Sequence, residues 1–509
     1  MRGFWQMLRQ TKSDLVCDLA LSNSLERNLR LLKEEVFSDD DTIIYREFTT
    51  DQPRPRRCVL VSADGMTDHV FLSDYVVQAV MYTPIPPRFV GNQVVEYLME
   101  NVIVGDEIKR EQYLSKIADS VLEGDAALLL EGCNYGIIVS SKGWPKRTIA
   151  EPVSESVVRG PREGFTEALT VNISLLRRRI GTPMLKFKYL FLGIQTKTKI
   201  AITYVEGVAS PAVVEEVIKR VSEIEIDGIL ESGYIEELIR DSPLCPFKTV
   251  GHTERPDVAA AKMLEGRVVI LVDGTPFVLT VPYIFVEAFQ ANEDYYKHFA
   301  IASVDRLIRY LCFFITTSTP AVYLSLITYH HQLIPTPLIL SISAARKGVP
   351  FPAVVEVFTM GLLFEVLREG GIRLPRPIGQ ALSIVGAIVL GDAAVSAQLV
   401  SAPMIIVVAT TGIAGFALPQ LYGTAILIRL IFALLASVLG LYGFFFGVMG
   451  LFIQLASMRS FGIPYLSSLD SNDFQDVKDT TIRAPWWTMF LRPRFIGKRN
   501  RTRMGRDTR

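Results

Sequence analysis

Apolar positions follow two rhythms along the 509 residues. Up to about residue 300 they come in short runs broken by charged and turn-forming residues. TIIYREF (42–48) and RRCVLVSADGM (56–66) read as strands, the second ending in a turn at Asp64-Gly65. Residues 106–122 have helical spacing, and ALLLEG followed by GIIVSSKGW (127–144) predicts a strand pair joined by a Gly/Asn turn. A second group follows. Residues 161–180, PREGFTEALTVNISLLRRRI, predict a helix with Pro161 near its start. Residues 185–207 give two strands around a polar turn, 212–224 an amphipathic helix, and 265–282 two strands around Asp273-Gly274. This half predicts two small α/β lobes, 38–150 and 151–300, behind an N-terminal extension of residues 1–37.

The second rhythm covers residues 301–457, mostly apolar and nearly free of Lys and Asp. Residues 306–328 are long enough to span a bilayer, and 378–399 and 401–418 form two further spans around a tight Ser401-Ala402-Pro403 connection. Residues 424–457 are 34 nearly apolar positions, about 51 Å as one helix, too long for one upright span and short for two. The fold class is therefore an α/β N-terminal region of two lobes followed by a polytopic α-helical transmembrane domain and a basic tail, 458–509. Four crossings fit the segment lengths and six fit the charge distribution. Both place the lobes and the tail in the cytoplasm.

Charge sharpens this division. The net charge is zero, yet residues 492–509 carry eight Lys or Arg against one Asp. The N-terminus MRGFWQMLRQTKSD lacks the apolar core of a signal peptide. Five scattered cysteines without a C-x-x-C, and dispersed histidines, point away from disulfide or zinc chemistry. No phosphate-binding glycine loop and no recognisable nucleophile triad occur, so neither an enzyme nor a cofactor is expected. The run Arg177-Arg178-Arg179 reads as a solvated helix end facing its own carbonyl dipole rather than a nucleic-acid contact.

Charges inside the apolar half are the candidate chemistry, because each is costly there. Glu356 and Glu365 are nine apart and project to opposite sides of a helix. Glu365 shares its side with Arg368 and Glu369, Arg373 follows, and Gly370-Gly371 is expected to end the helix at a cytoplasmic interface. Glu356, just after Pro350-Phe351-Pro352, suits a helix N-terminus. Val385, Val389, Asp392 and Ser396 lie on one stripe of 378–399. That stripe is either a hydrated ion path with a valine constriction or the place where Asp392 pairs with a neighbouring hydroxyl or Arg. Gly440, Gly443, Gly447 and Gly450 fall on one helix face, as a close-packing seam would require.

Long stretches resemble the GerA family, the A subunits of spore germinant receptors. They are IPTPLILSISAARKGVPFPAVVEV, FEVLREGGIRLPRPIGQALSIVGAIVLGDAAV and LVSAPMIIVVATTGIAGFALP between 335 and 419. Upstream come VVRGPREGF, IDGILESGYIEELI, TERPD and LEGRVVILVDGTPFVLTVP, and downstream MRSFGIPYLSSL and DTTIRAPWW. The likeness covers about residues 38–490 and departs at Met360-Gly361, where the family has Met-Glu. It implies a multi-pass protein of the spore inner membrane, its lobes facing the spore core. The implied partners are a transporter-like B subunit, a lipoprotein C subunit, membrane lipid and further copies of the chain, with no nucleic acid. It also implies assembly into a nutrient-gated cation channel. A secondary transporter and an anchoring scaffold are the rival readings.

Overall fold

The computed structural model describes residues 19–51, 55–144, 151–152, 155, 157, 159–373, 391–467, 478–493, 496, 500 and 502–503. The first lobe is a five-stranded antiparallel sheet of order β1-β2-β4-β5-β3: Ile43–Thr49, Arg57–Ala63, Ala126–Leu130, Gly136–Val139 and Ile108–Glu111. Helix α1 (Leu25–Arg30, continued by a wider turn, Leu31–Val36) and α4 (Leu114–Leu122) cover one face. Helices α2 (69–82) and α3 (Gln93–Asn101) cover the other. With both faces covered, the central strand β4 is five buried apolar residues in a row rather than an alternation.

The second lobe repeats this topology. Its strands β6 (Leu185–Leu192), β7 (Thr198–Val205), β9 (Val268–Val272), β10 (Val278–Val281) and β8 (Gly251–Thr253) lie in that spatial order. Helices α5 (Leu169–Arg179) and α8 (Pro256–Glu265) cover one face, α6 (Pro211–Ser222) and α7 (Ser232–Leu238) the other. The duplication is visible in the chain: LEGDAALLLEG (122–132) and LEGRVVILVDG (264–274) occupy the same helix–strand–turn position. In each copy the first glycine closes the helix at positive φ, 93° at Gly124 and 105° at Gly266, where a side chain is penalised.

Three expectations change. Residues 108–111 are an exposed edge strand, not the start of a helix. Helix α5 begins at Leu169 because the Asp273 carboxylate accepts the Leu169 N–H at 3.0 Å, and the Phe165 N–H is drawn to the Glu254 carbonyl. The first lobe also starts upstream of residue 38, since Leu21, Leu25, Leu29 and Leu32 are buried in its core. A fourth concerns the arginine run. Arg177 is 1% exposed and its guanidinium joins the lobes, bonding Asp40 at 2.5 Å and the Thr42 hydroxyl, while Arg178 and Arg179 pair with Glu163.

The apolar half is a helical bundle built on α9 (Phe299–Thr328), which packs against α11 (Ala353–Arg373), α12 (Ala402–Phe416), α13 (Tyr422–Leu439) and α14 (Leu441–Ser457). Helix α10 (Thr336–Arg346) buries none of its residues. Among the described residues two helices, Phe299–Thr328 and Pro419–Leu439, are long and apolar enough to cross a membrane. The stretch 424–457 is not one helix. It folds back at Gly440, whose φ of 62° and ψ of −140° only glycine adopts freely. At that end Tyr329 donates to the Ser437 carbonyl at 2.7 Å. At the other end lobe 2 meets the bundle: the Tyr283 hydroxyl donates to Gln420 and the Thr424 hydroxyl to the Pro246 carbonyl, both at 2.7 Å. The chain after α14 packs back onto lobe 2, with Phe461, Ile463 and Ile496 in its core.

Candidate functional site

Helix α11 carries the two acids nine residues apart, and the structure sends them to different partners. Glu356 is 2% exposed. One carboxylate oxygen accepts from Arg346 of α10 at 3.0 Å; the other accepts the Ser401 N–H at 3.0 Å and its hydroxyl at 2.7 Å. Ser401 is the N-cap of α12, so Glu356 serves the positive end of another helix rather than its own. Glu365 accepts from Arg429 of α13 at 2.7 Å and from Arg368 at 2.8 Å, and Tyr422 lies at 3.4 Å. Both acids therefore bolt neighbouring helices together inside the apolar region. Removing Glu356, the fully buried member of its pair with Arg346, costs about 3–5 kcal/mol.

The glycine pair Gly370-Gly371 does not end α11, which runs to Arg373. Because the helix continues, Glu369 and Arg373 form an i to i+4 pair at 2.6 Å, half or more exposed. The opening of the apolar half to charge is thus mixed: a neutralised interior at Glu356 and Glu365, and a solvated end at Glu369 and Arg373.

Asp392 behaves differently. Val385 and Val389 lie outside the described residues, while Asp392 and Ser396 sit on a helical stretch, 391–396, and both are exposed. Among the described residues Asp392 has no hydrogen bond or ion pair. The structure describes only half of the stripe on which these four residues were placed.

The four glycines divide into three roles. A Cβ at Gly443 would sit on the Leu435 carbonyl, and one at Gly447 would come within 2.9 Å of the Phe432 ring, so these two make the close contact between α14 and α13. Gly440 forms the break itself, and a Cβ at Gly450 meets nothing within 4 Å. Helical periodicity put all four on one face; it could not show that the helix starts after the first.

Two α/β lobes of one topology, seated on the end of an apolar helical bundle that neutralises two of its acids internally, define the class of architecture. Residues 31–495 match the family described as Bacillus/Clostridium GerA spore germination protein, and the chain belongs to that family. It is 42% identical over 492 residues to spore germination protein KA of Bacillus subtilis (strain 168), covering 96% of this chain and 90% of that one. It is 36% identical to spore germination protein GerLA of Bacillus cereus, covering 95% and 98%. A crystal structure of the N-terminal domain of the A subunit of the Bacillus megaterium spore germinant receptor GerK3 is 32% identical, with a TM-score of 0.41. That match covers 53% of this chain and 98% of that one.

Proposed function

We propose that this protein is the A subunit of a nutrient germinant receptor in the spore inner membrane, and that copies of it assemble into a cation channel opened when nutrient binds a transporter-like B subunit beside a lipoprotein C subunit. The observation that carries the ion path is Asp392: an exposed carboxylate without a partner among the described residues, within an apolar segment. Such a group in a bilayer must face water or another chain. With Val385 and Val389 as a dewetting constriction and Ser396 as a polar step, the segment 378–399 would line the path.

The meeting of helix ends supports a crossing pattern of six. The end of α9, the α13–α14 break and the Glu356–Ser401 contact share one side; lobe 2 and the α12–α13 turn share the other. Helices α9, α11, α12, α13 and α14 would then cross alternately, with 378–399 proposed as a further crossing. The lobes, Arg373 and the basic tail all end on the cytoplasmic side, as the positive-inside rule requires. A nutrient that favours the open arrangement on the B subunit shifts the assembly only through differential affinity. The test is cation release from germinating spores that carry Asp392→Asn. Release should fall while the amount of receptor in the membrane is unchanged; release at the parental rate refutes the path.

A further inference from the structure

The bundle meets the soluble half through a fully buried cation. Arg306, two turns into α9, has no solvent exposure. Its Nε donates to Asp294 at 3.2 Å, and its Nη1 donates to the Asp479 carboxylate at 2.9 Å, the Asp479 carbonyl at 2.7 Å and the Thr480 carbonyl at 3.2 Å. Asp294 belongs to the turn that ends lobe 2 and is shared with Arg309 at 2.7 Å. Asp479 belongs to the segment beyond α14. Its second carboxylate oxygen accepts from the Tyr295 hydroxyl at 2.6 Å, and Gln290 donates to its carbonyl at 2.7 Å. Further along, the Arg483 N–H donates to the Ser303 hydroxyl at 3.1 Å and Trp487 packs edge-on against Phe299.

Arg306 and Arg309 of α9 face Asp294 and Asp479 here, with the buried Arg483 of the Asp479 segment beside them, so a seated Asp479 supplies half of the carboxylate charge that the two helix arginines meet. Withdrawing that segment leaves Arg306 buried with half its countercharge and three acceptors gone, a state that a dry site does not tolerate. The first turns of α9 must then move to rehydrate the guanidinium. Burial also pushes the Asp479 carboxyl above the usual carboxylate range despite Arg306.

We propose that residues 478–492 are a strap that locks the first turns of α9 onto lobe 2, and that strap and helix start are seated or released together. Because the coupling is reciprocal, anything that shifts lobe 2 against α9 loosens the strap, and anything that captures the strap frees α9. The strap joins the soluble lobes to the first long apolar helix whether or not the bundle conducts ions.

The test is amide hydrogen exchange of the full-length chain in lipid nanodiscs, comparing the parent with Asp479→Asn and Arg306→Gln. Each substitution should speed exchange at least tenfold in both 299–309 and 478–492 while β2 and β4 of the first lobe stay protected. Faster exchange in the strap with α9 unchanged, or no change in either, overturns the proposal. If Asp479→Asn also exposes β2, Tyr295→Phe decides, since it removes one bond to Asp479 and keeps the ring. A few-fold rise in both segments supports the strap, and a rise in one alone, or in neither, overturns it.

Discussion

Replacing Arg177 by Met should separate the two lobes energetically. The guanidinium reaches from α5 to Asp40 and Thr42 and lies 4.8 Å from the centre of the Phe187 ring. Removing it leaves the Asp40 carboxylate buried but still accepting the Thr42 N–H at 3.1 Å and the Thr42 hydroxyl at 2.7 Å. The loss therefore falls at the lower end of the range for a broken buried pair, about 3 kcal/mol, or roughly 150-fold in the opening equilibrium. Two nitrogens of Arg177, Nε and Nη1, have no acceptor among the described residues, so the intact pair is itself imperfectly repaid for its desolvation. Arg177→Met with Asp40→Leu should for that reason cost clearly less than the sum of the two single substitutions. The assay is exchange of the Asp41 and Tyr189 amides, which bond across the lobes to the Phe187 carbonyl and the Asp41 carboxylate. A single-substitution cost below about 1 kcal/mol, or a double variant that costs the sum of both, refutes the reasoning.

Two further outcomes follow from local geometry. Gly443→Val should push α14 off α13 and lower the yield of folded, detergent-extracted protein several-fold, whereas Gly450→Ala should match the parent; equal yields would contradict the hairpin packing. His252 in lobe 2 has its pKa lowered to about 4, by burial and then by Lys248 and Lys262, which outweigh the opposing Glu231. An unfolded histidine takes up its proton near pH 6.5, so lobe 2 should lose stability as pH falls from about 6.5 to 4, by up to about 3 kcal/mol, and keep it above. His252→Gln should flatten that slope in urea titrations; an unchanged slope assigns it to other groups.

Much of the lobe architecture is legible in the chain because buried strands leave continuous apolar runs. Eight of the ten lobe strands fall within runs such as LKFKYLFL and VVILV. The other two, β3 and β8, are short strands at sheet edges, and three of the four residues of β3 are charged, so neither carries an apolar signature. The lobe duplication was also readable, in LEGDAALLLEG against LEGRVVILVDG, where glycines recur at positions that demand positive φ. What the chain does not display is pairing at a distance. Arg177 looks like a solvated helix end until Asp40, 137 positions away, is placed against it. The tail looks like a free basic extension until Asp479 closes over Arg306. Glu356 and Glu365 were correctly set on opposite sides of a helix, because that follows from 100° per residue. Their partners Ser401 and Arg429 follow only from the packing of α12 and α13.

That the apolar half encloses a cation path on which Asp392 stands can be checked by single-channel recording of the full-length chain reconstituted in planar bilayers with its B and C subunits and nutrient. Cation-selective openings are expected, with conductance and selectivity that fall with Asp392→Asn. A chain that inserts but never conducts, or one whose currents ignore that substitution, contradicts it.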